Sequence, residues 1–278
     1  MWDRARDVLT TAIAFHTELI IEKAEGVYVW DTSGRKYMDF SSGVATLNIG
    51  HCHRDVVTAI KGQCSWLLHG GGVYLHEPLV RLGETLKDVT PGELNSFFFG
   101  NSGTEAVEGS IKLARHVTRR QGIIAFTGSF HGRSLGSLSL TSSTARYRKH
   151  YHPLLPSVYH APFPYCYRCI FKHEMGKCDM ECLEYLSHVF SYLIDPEEVA
   201  AIIIEPVLGE GGYIPLPDGF LQRLRKLCNE YGIMLILDEV QTGFGRTGKW
   251  FASEHYGIVP DIMAMAKAIA SGMPLGAV

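Results

Sequence analysis

Short apolar runs alternate with amphipathic stretches along the chain after about residue 48. The runs include SFFFG, IIAF, AAIIIEPV and IMLILDEV, and TEAVEGSIKLARHV and FLQRLRKLCNEYG lie between them. A run that is apolar at every position suits a strand covered on both faces, and strands that alternate with helices favour a parallel sheet. The pattern therefore predicts an α/β fold, with a mostly parallel sheet and helices on both of its faces.

The first part of the chain follows a different pattern. EGVYVWDTSGRKYMDF predicts two strands around a tight Asp-Thr-Ser-Gly turn, which is a small antiparallel unit. We therefore divide the chain into an N-terminal segment, residues 1–47, and a large domain, residues 48–278. Within the large domain, residues 162–183 are rich in cysteine and aromatic residues and are interpreted as an insertion.

Composition excludes several classes of protein. The net charge is -3, 46% of the 278 residues are hydrophobic, and no apolar run approaches the length of a membrane span. We expect neither a nucleic-acid partner nor a membrane partner. The N-terminus carries acidic residues and no secretory pattern, so we expect a cytoplasmic location.

Acidic residues follow two of the apolar runs. In an open parallel sheet the ligand lies beyond the carboxyl ends of the strands, so these residues are candidates for a site. A buried carboxylate such as Asp238 stays ionised beside a permanent positive charge, for example a protonated ring nitrogen; a metal site is the alternative for the pair Asp238 and Glu239. Glu205 ends AAIII and Glu210 lies in a Gly-rich loop. Each forms either an ion pair near a substrate or a structural salt bridge.

A phosphate site is predicted at the start of one helix. Ser102 and Glu105 have the spacing of a capping box, which places Ser102, Gly103 and Thr104 at a helix N-terminus. Free N–H groups and the helix dipole suit a dianionic phosphate there, and a plain cap is the alternative.

Three further side chains suit a flat, charged ligand. Phe130 and Arg133 follow IIAF, where an aromatic ring can stack on a heterocycle and a guanidinium can bind a carboxylate. A core phenylalanine and a solvated arginine are the alternatives. Lys267 lies alone in a run of Met, Ala and Ile, where burial lowers the amine pKa and favours attack on an aldehyde. A surface lysine is the alternative. Together these residues describe pyridoxal 5'-phosphate (PLP).

The motifs NSGTEAVEGSIKLAR, FHGRSLG, IIIEPVLGEGG, LILDEVQTGFGRTGKW and AKAIASGMPLGAV resemble those of the class III (omega) aminotransferases, which are PLP enzymes of fold type I. The resemblance runs from about Glu22 to the last residue. It implies that Lys267 bonds the cofactor's aldehyde and that Asp238 is the partner of the ring nitrogen. It implies further cofactor contacts by Val240 and Phe130 on the ring faces, by Gln241 at the phenolic oxygen, and by Ser102, Gly103 and Thr104 at the phosphate.

The resemblance also implies a substrate class. Arg133 is similar to the arginine that binds the distal carboxylate of 4-aminobutyrate or glutamate, and Glu210 to the glutamate that shields a second arginine. Val44 falls where 4-aminobutyrate enzymes have an apolar residue. With Glu205 as a further substrate-site residue, the expected reaction is transamination of an omega-amino acid such as 4-aminobutyrate, with 2-oxoglutarate or a similar oxo acid as acceptor. A PLP-dependent amino-acid racemase and an inactive cofactor-binding remnant are the alternatives.

The resemblance implies two features of the assembly. Family members are dimers, so we expect a homodimer or a larger homo-oligomer. They also continue well beyond the position of Val278, so we expect the large domain to be incomplete and the C-terminal small domain to be absent.

Four cysteines lie close together within the insertion. Cys166, Cys169, Cys178 and Cys182 form a CxxC pair followed by a CxxxC pair. This spacing suits zinc or an iron–sulfur cluster, and disulfides or free thiols are the alternatives. We assign no metal site from the sequence.

Overall fold

The structure is a computed structural model that describes residues 1–13, 15–174 and 176–278. It comprises two compact units, Met1–Gly70 and Gly71–Val278. The first unit thus extends further than the N-terminal segment 1–47 that the sequence suggests, and the assignment of that segment to a separate domain stays a prediction.

The first unit contains a three-stranded antiparallel sheet. The strands β1 (Ile21–Glu25), β2 (Tyr28–Asp31) and β3 (Lys36–Met38) pair in that order. Asp31 forms the predicted turn between β2 and β3, because its Oδ1 accepts the N–H groups of Ser33 and Arg35 at 2.9 and 3.0 Å.

Three helical segments accompany this sheet, namely α1 (Trp2–Val8), α2 (Ser42–Ala45) and α3 (Arg54–Cys64). The segment α2 is a left-handed turn, because φ lies between 51° and 62° at all four of its residues. Val44, a predicted substrate-site residue, lies in this turn with an exposed side chain.

The second unit contains seven helices and nine strands among its described residues. In chain order they are α4 (Glu77–Val89), β4 (Phe99–Gly100), α5 (Gly103–Thr118), β5 (Gly122–Phe126), α6 (Leu135–Leu140), α7 (Ala145–Arg148), β6 (Val158–Ala161), α8 (Glu181–Tyr192), β7 (Val199–Ile204), β8 (Val207–Leu208), β9 (Ile214–Pro215), α9 (Phe220–Tyr231), β10 (Met234–Asp238), α10 (Ser253–Tyr256), β11 (Ile262–Ala264) and β12 (Gly276–Ala277). Short 3-10 turns occur at Cys166–Arg168, Pro196–Glu198 and Lys267–Ala270. No helix in the described part of the chain is both long and apolar enough to cross a lipid bilayer.

Five of these strands form the predicted parallel sheet. Their order is β11-β10-β7-β5-β6, and every neighbouring pair is parallel. The sheet confirms the predicted fold class. The prediction that SFFFG forms a strand of this parallel sheet is wrong, because its strand β4 pairs antiparallel with β12 in a separate sheet. The edge strand β6 did not stand out in the sequence, because it is short and carries His160 and Tyr159 between its apolar residues.

Alternate residues of the strands face opposite sides of the sheet, as pleating requires. On one side, Ile202, Ile204, Leu235 and Leu237 join a cluster that includes apolar residues of α8 and α9. On the other side, Ile203 and Ile236 belong to a second cluster, to which α5 contributes Ala106, Val107, Ile111 and Ala114. Helices therefore cover both faces, which explains why the strands are apolar at every position.

We predict that Leu224→Ala lowers the free energy of unfolding by about 2–5 kcal/mol, because Leu224 is fully buried between α9 and the sheet. Lys226→Ala on the exposed side of the same helix is the matched control, with an expected change within about 0.5 kcal/mol. Urea unfolding followed by circular dichroism measures both. Equal effects of the two substitutions would contradict this packing of α9.

Candidate active site

The carboxyl ends of three adjacent strands, β5, β7 and β10, carry the centre of the site. Asp238 is the last residue of β10, Glu205 directly follows β7, and the loop after β5 carries Phe130 and His131. Because β7 lies between β5 and β10, the loop after β5 must pass over the end of β7 to reach Asp238. Parallel strands put all of these ends on one edge, which is where such sheets bind ligands.

Asp238 is held by a histidine that sequence reasoning missed. The Nδ1 atom of His131 lies 2.7 Å from Oδ2 of Asp238, and the two side chains are 0% and 4% exposed. The N–H of Val240 donates to Oδ1 of the same carboxylate at 3.1 Å. The other ring nitrogen of His131 is buried and has no hydrogen-bond partner within the described residues. The only sequence signal for this contact is the position of His131 directly after Phe130.

Glu205 fixes the loop that carries His131. Its Oε1 accepts the N–H of Phe130 at 2.8 Å, and its Oε2 accepts the N–H of Gly209 at 2.9 Å. Burial raises the pKa of this carboxyl to about 7, with His131 acting in the opposite direction and Asp238 adding to the rise. Both oxygens thus bind the backbone, and the predicted contact of Glu205 with a substrate stays a prediction.

Lys267 follows β11 in a constrained conformation. Its φ is 53°, in the left-handed region that non-glycine residues rarely occupy. Burial lowers the pKa of its ammonium group, while the carboxylates of Asp238, Glu205 and Glu210 raise it and Arg246 lowers it. A partly buried amine of lowered pKa is a competent nucleophile.

The predicted capping box forms at the start of α5. The Ser102 hydroxyl accepts the N–H of Glu105 at 3.4 Å, and the Glu105 carboxylate accepts the N–H of Asn101 at 2.6 Å. The helix therefore presents the N–H groups of its first turn in the way that an anion site requires. The Thr104 hydroxyl lies 2.7 Å from that of Ser134 and 2.5 Å from that of Ser137, so it already has partners.

The start of α5 is packed against the residues around Asp238 and Lys267. A Cβ atom at Gly103 would lie 2.8 Å from Val240 Cγ1 and 3.5 Å from the Cβ of Ala266, the residue before Lys267. Glycine is therefore required for this close approach. The predicted phosphate-binding residues and Val240 are thereby placed side by side.

A second group of predicted residues meets around a tyrosine. The rings of Phe130 and Tyr147 lie edge to face with centroids 5.6 Å apart. A hydrogen bond with Glu210 raises the pKa of Tyr147, and Arg133 and Arg146 act on it in the opposite direction. Tyr147 lies in the short helix α7 and gave no sequence signal.

The two remaining predictions have different outcomes. Gln241 lies against Gly209 beside Glu205, because a Cβ atom at Gly209 would clash with the Gln241 side chain and lie 3.2 Å from Glu205 Oε2. Val44 belongs to the first compact unit, and its role stays a prediction. Contacts link most of the predicted site residues of the second unit, and electrostatic effects connect Arg133 and Lys267 to them.

Glu239, next to Asp238, has a structural role. It is fully buried and accepts the N–H groups of Ala252 and Ser253 at 3.0 and 2.8 Å, together with the Thr242 hydroxyl. These bonds tie the loop after β10 to the start of α10.

The raised pKa of Glu205 predicts a pH-dependent stability. Folded Glu205 keeps its proton up to about pH 7, whereas the ordinary value is 4.5, so the folded state binds more protons between these pH values. Stability should therefore fall by a few kcal/mol as the pH rises through this window. Glu205→Gln should lack this decrease, and exposed Glu230→Gln should keep it, as measured by urea unfolding at several pH values. An unchanged slope in Glu205→Gln would refute the prediction.

Comparison with known proteins identifies the family. The model of the family described as aminotransferase class-III matches residues 11–278. A probable 4-aminobutyrate aminotransferase from Bacillus subtilis is 39% identical over 100% of this chain and 64% of its own length. An alanine/serine racemase from Pyrococcus horikoshii is 38% identical over 99% of this chain and 60% of its own length.

Solved structures show the same fold. A taurine:2-oxoglutarate aminotransferase from Bifidobacterium kashiwanohense, described in complex with PLP and glutamate, has a TM-score of 0.88 at 33% identity. The match covers 99% of this chain and 62% of that one, so the chain spans less than two thirds of the length of these relatives. With the family model matching nearly its whole length, this chain belongs to the class III aminotransferases.

Proposed function

We propose that this chain carries the cofactor site of a PLP-dependent transaminase that acts on an omega-amino acid such as 4-aminobutyrate. The acceptor would be 2-oxoglutarate or a similar oxo acid. The observation that carries the proposal is the buried Asp238, held by His131 at the ligand edge of the sheet, together with the partly buried Lys267, whose pKa the Asp238 carboxylate affects.

The residues present fit PLP chemically. Asp238 is a buried carboxylate that can accept the N–H of a protonated pyridine ring, and burial strengthens such a charge-assisted bond. The first turn of α5, with Ser102, Gly103 and Thr104, offers N–H donors to a phosphate. Lys267 offers an amine of lowered pKa to an aldehyde. When bound, PLP supplies an electron sink for the carbanion that forms at the substrate carbon.

The side chains around the ring would orient it. By resemblance, Phe130 and Val240 would cover its two faces and Gln241 would bind its phenolic oxygen. The structure supports these roles by placing Val240 against Gly103 and Gln241 against Gly209. His131 would act as a positioning residue, because its bond to Oδ2 fixes the direction in which the Asp238 carboxylate points.

Lys267 would move the proton of the reaction. Its amine would be the base that removes a proton from the substrate carbon and the acid that returns it. Burial favours the neutral form and the carboxylates of Asp238, Glu205 and Glu210 favour the charged form. These opposing effects allow the side chain to serve in both protonation states.

The substrate class rests on Arg133 and Glu210. Arg133 lies near Tyr147, which hydrogen-bonds to Glu210, so one positive and one negative group border the site at this point. A guanidinium can bind the distal carboxylate of an omega-amino acid with two parallel hydrogen bonds. The names of relatives that act on 4-aminobutyrate or 5-aminovalerate support the same substrate class.

A racemase is the second candidate function. Relatives described as alanine/serine and leucine/methionine racemases are 38% and 39% identical to this chain, close to the values for the transaminases. Racemisation would use the same lysine, but the proton would return to the substrate carbon from which it was removed, and no amino group would be transferred. The homo-oligomer and the cytoplasmic location that we expect from the sequence stay predictions.

Two parallel assays test the function. We expect purified protein loaded with PLP to convert 4-aminobutyrate and 2-oxoglutarate to glutamate, as measured by chromatography. The same protein should leave a single enantiomer of alanine or leucine unchanged when no oxo acid is present. Racemisation without glutamate formation would favour the second candidate, and inactivity in both assays would overturn transamination by this chain.

Lys267→Ala should abolish the visible absorbance band of covalently bound cofactor, because no amine remains at that position to bond the aldehyde. Lys226→Ala, at an exposed position of α9, is the control and should keep the band. Absorbance spectra after removal of free cofactor, with borohydride reduction and mass spectrometry of the attached peptide, give the answer. A band that persists in Lys267→Ala would refute the assignment of the lysine.

A further inference from the structure

The four cysteines of the insertion line one small cavity. Cys166, Cys169, Cys178 and Cys182 all contribute to the wall of a cavity of about 20 Å³. A space of this size holds roughly one water-sized guest. The fold has thus placed the four cysteines, a CxxC pair followed by a CxxxC pair in the sequence, on the wall of one cavity. None of these residues belongs to the candidate active site.

Separate pieces of chain deliver the thiols to this cavity. Cys166 opens the 3-10 turn Cys166–Arg168 and Cys169 directly follows it, while Cys178 lies in the next loop. Cys182 lies in the first turn of α8, which is anchored in the core by Leu183, Leu186 and Val189. Three of the thiols therefore lie in loop or turn segments, and the fourth, that of Cys182, lies on a helix that packs in the core.

All four thiols are free and partly buried, and their residues line the same cavity. A soft metal ion in this cavity would therefore lie among four available sulfur ligands.

Three other potential ligands on the cavity wall are already paired. His173 Nε2 lies 3.0 Å from Glu181 Oε1, and Glu174 Oε2 lies 2.5 Å from Lys177 Nζ. The ligand set that remains is sulfur, which among common metals suits zinc and iron. The size of the cavity favours a single ion over an iron–sulfur cluster.

We propose that Cys166, Cys169, Cys178 and Cys182 bind one Zn²⁺ ion in a structural site that joins the insertion to α8. Across residues 1–13, 15–174 and 176–278, no three His, Cys, Asp or Glu side chains already stand at metal-binding separation, so the thiols must close on the ion. Binding releases the four thiol protons and leaves the site with a net charge of about −2. Four sulfur ligands complete a tetrahedral shell and leave no position open for a substrate.

Metal analysis of the 278-residue chain tests this site. Protein purified without chelators and under reducing conditions should contain about one zinc per chain by plasma mass spectrometry. Cys169→Ser combined with Cys178→Ser should reduce zinc at least tenfold. Cys52→Ser combined with Cys64→Ser, which changes two exposed cysteines outside the insertion, should retain it. Absence of zinc, iron in its place, or zinc retained in the first variant would overturn the proposal.

A second measurement does not depend on whether the variants fold. A mercurial thiol reagent added stepwise to the unmodified protein should release the zinc to a chromogenic chelator, with about four equivalents consumed per zinc released beyond those taken up by the exposed Cys52 and Cys64. The thermal midpoint should fall as the zinc leaves, because the ion links the insertion to α8. Zinc release without thiol modification, or disulfide-linked peptides in place of free thiols, would also overturn the site.

Discussion

The buried contact between the carboxylate of Asp238 and the imidazole of His131 is the constraint on which the site depends. A carboxylate that is 4% exposed is costly unless hydrogen bonds or an opposite charge compensate it. Here His131 compensates the carboxylate from the loop after β5, although β5 is not a neighbour of β10 in the sheet. Glu205, at the end of the intervening strand, holds the N–H of Phe130 and so fixes the loop where it crosses. Three strand ends are thereby joined through three buried side chains, those of Asp238, His131 and Glu205.

The adjacent acids Asp238 and Glu239 show how neighbours in sequence take separate roles. Successive side chains at a strand end point in opposite directions, so the two carboxylates face different surroundings. Asp238 faces the ligand edge and His131, whereas Glu239 binds the N–H groups of Ala252 and Ser253. One acid serves the site and the other holds the loop that surrounds it.

Opposing effects act on the pKa of Lys267. Burial makes its ammonium unfavourable, and the carboxylates of Asp238, Glu205 and Glu210 act against that effect. The lysine reaches this position with a left-handed φ, which the packing of β11, β12 and the start of α5 must impose. Gly276 and Gly103 permit that packing, because a side chain at either position would collide with Ser102 or Val240.

The sequence by itself determined the α/β class, the cap at Ser102 and the residues that end the strands, since periodicity, capping and turn chemistry are local properties. It did not reveal that β4 pairs with β12, that His131 holds Asp238, or that Tyr147 meets Glu210. Nor did it show that the Glu205 carboxylate binds backbone N–H groups. Most of these contacts join residues far apart in the chain, for example 107 positions for His131 and Asp238. Only the strand order of the sheet brings such residues together, and that order depends on the packing of the whole unit.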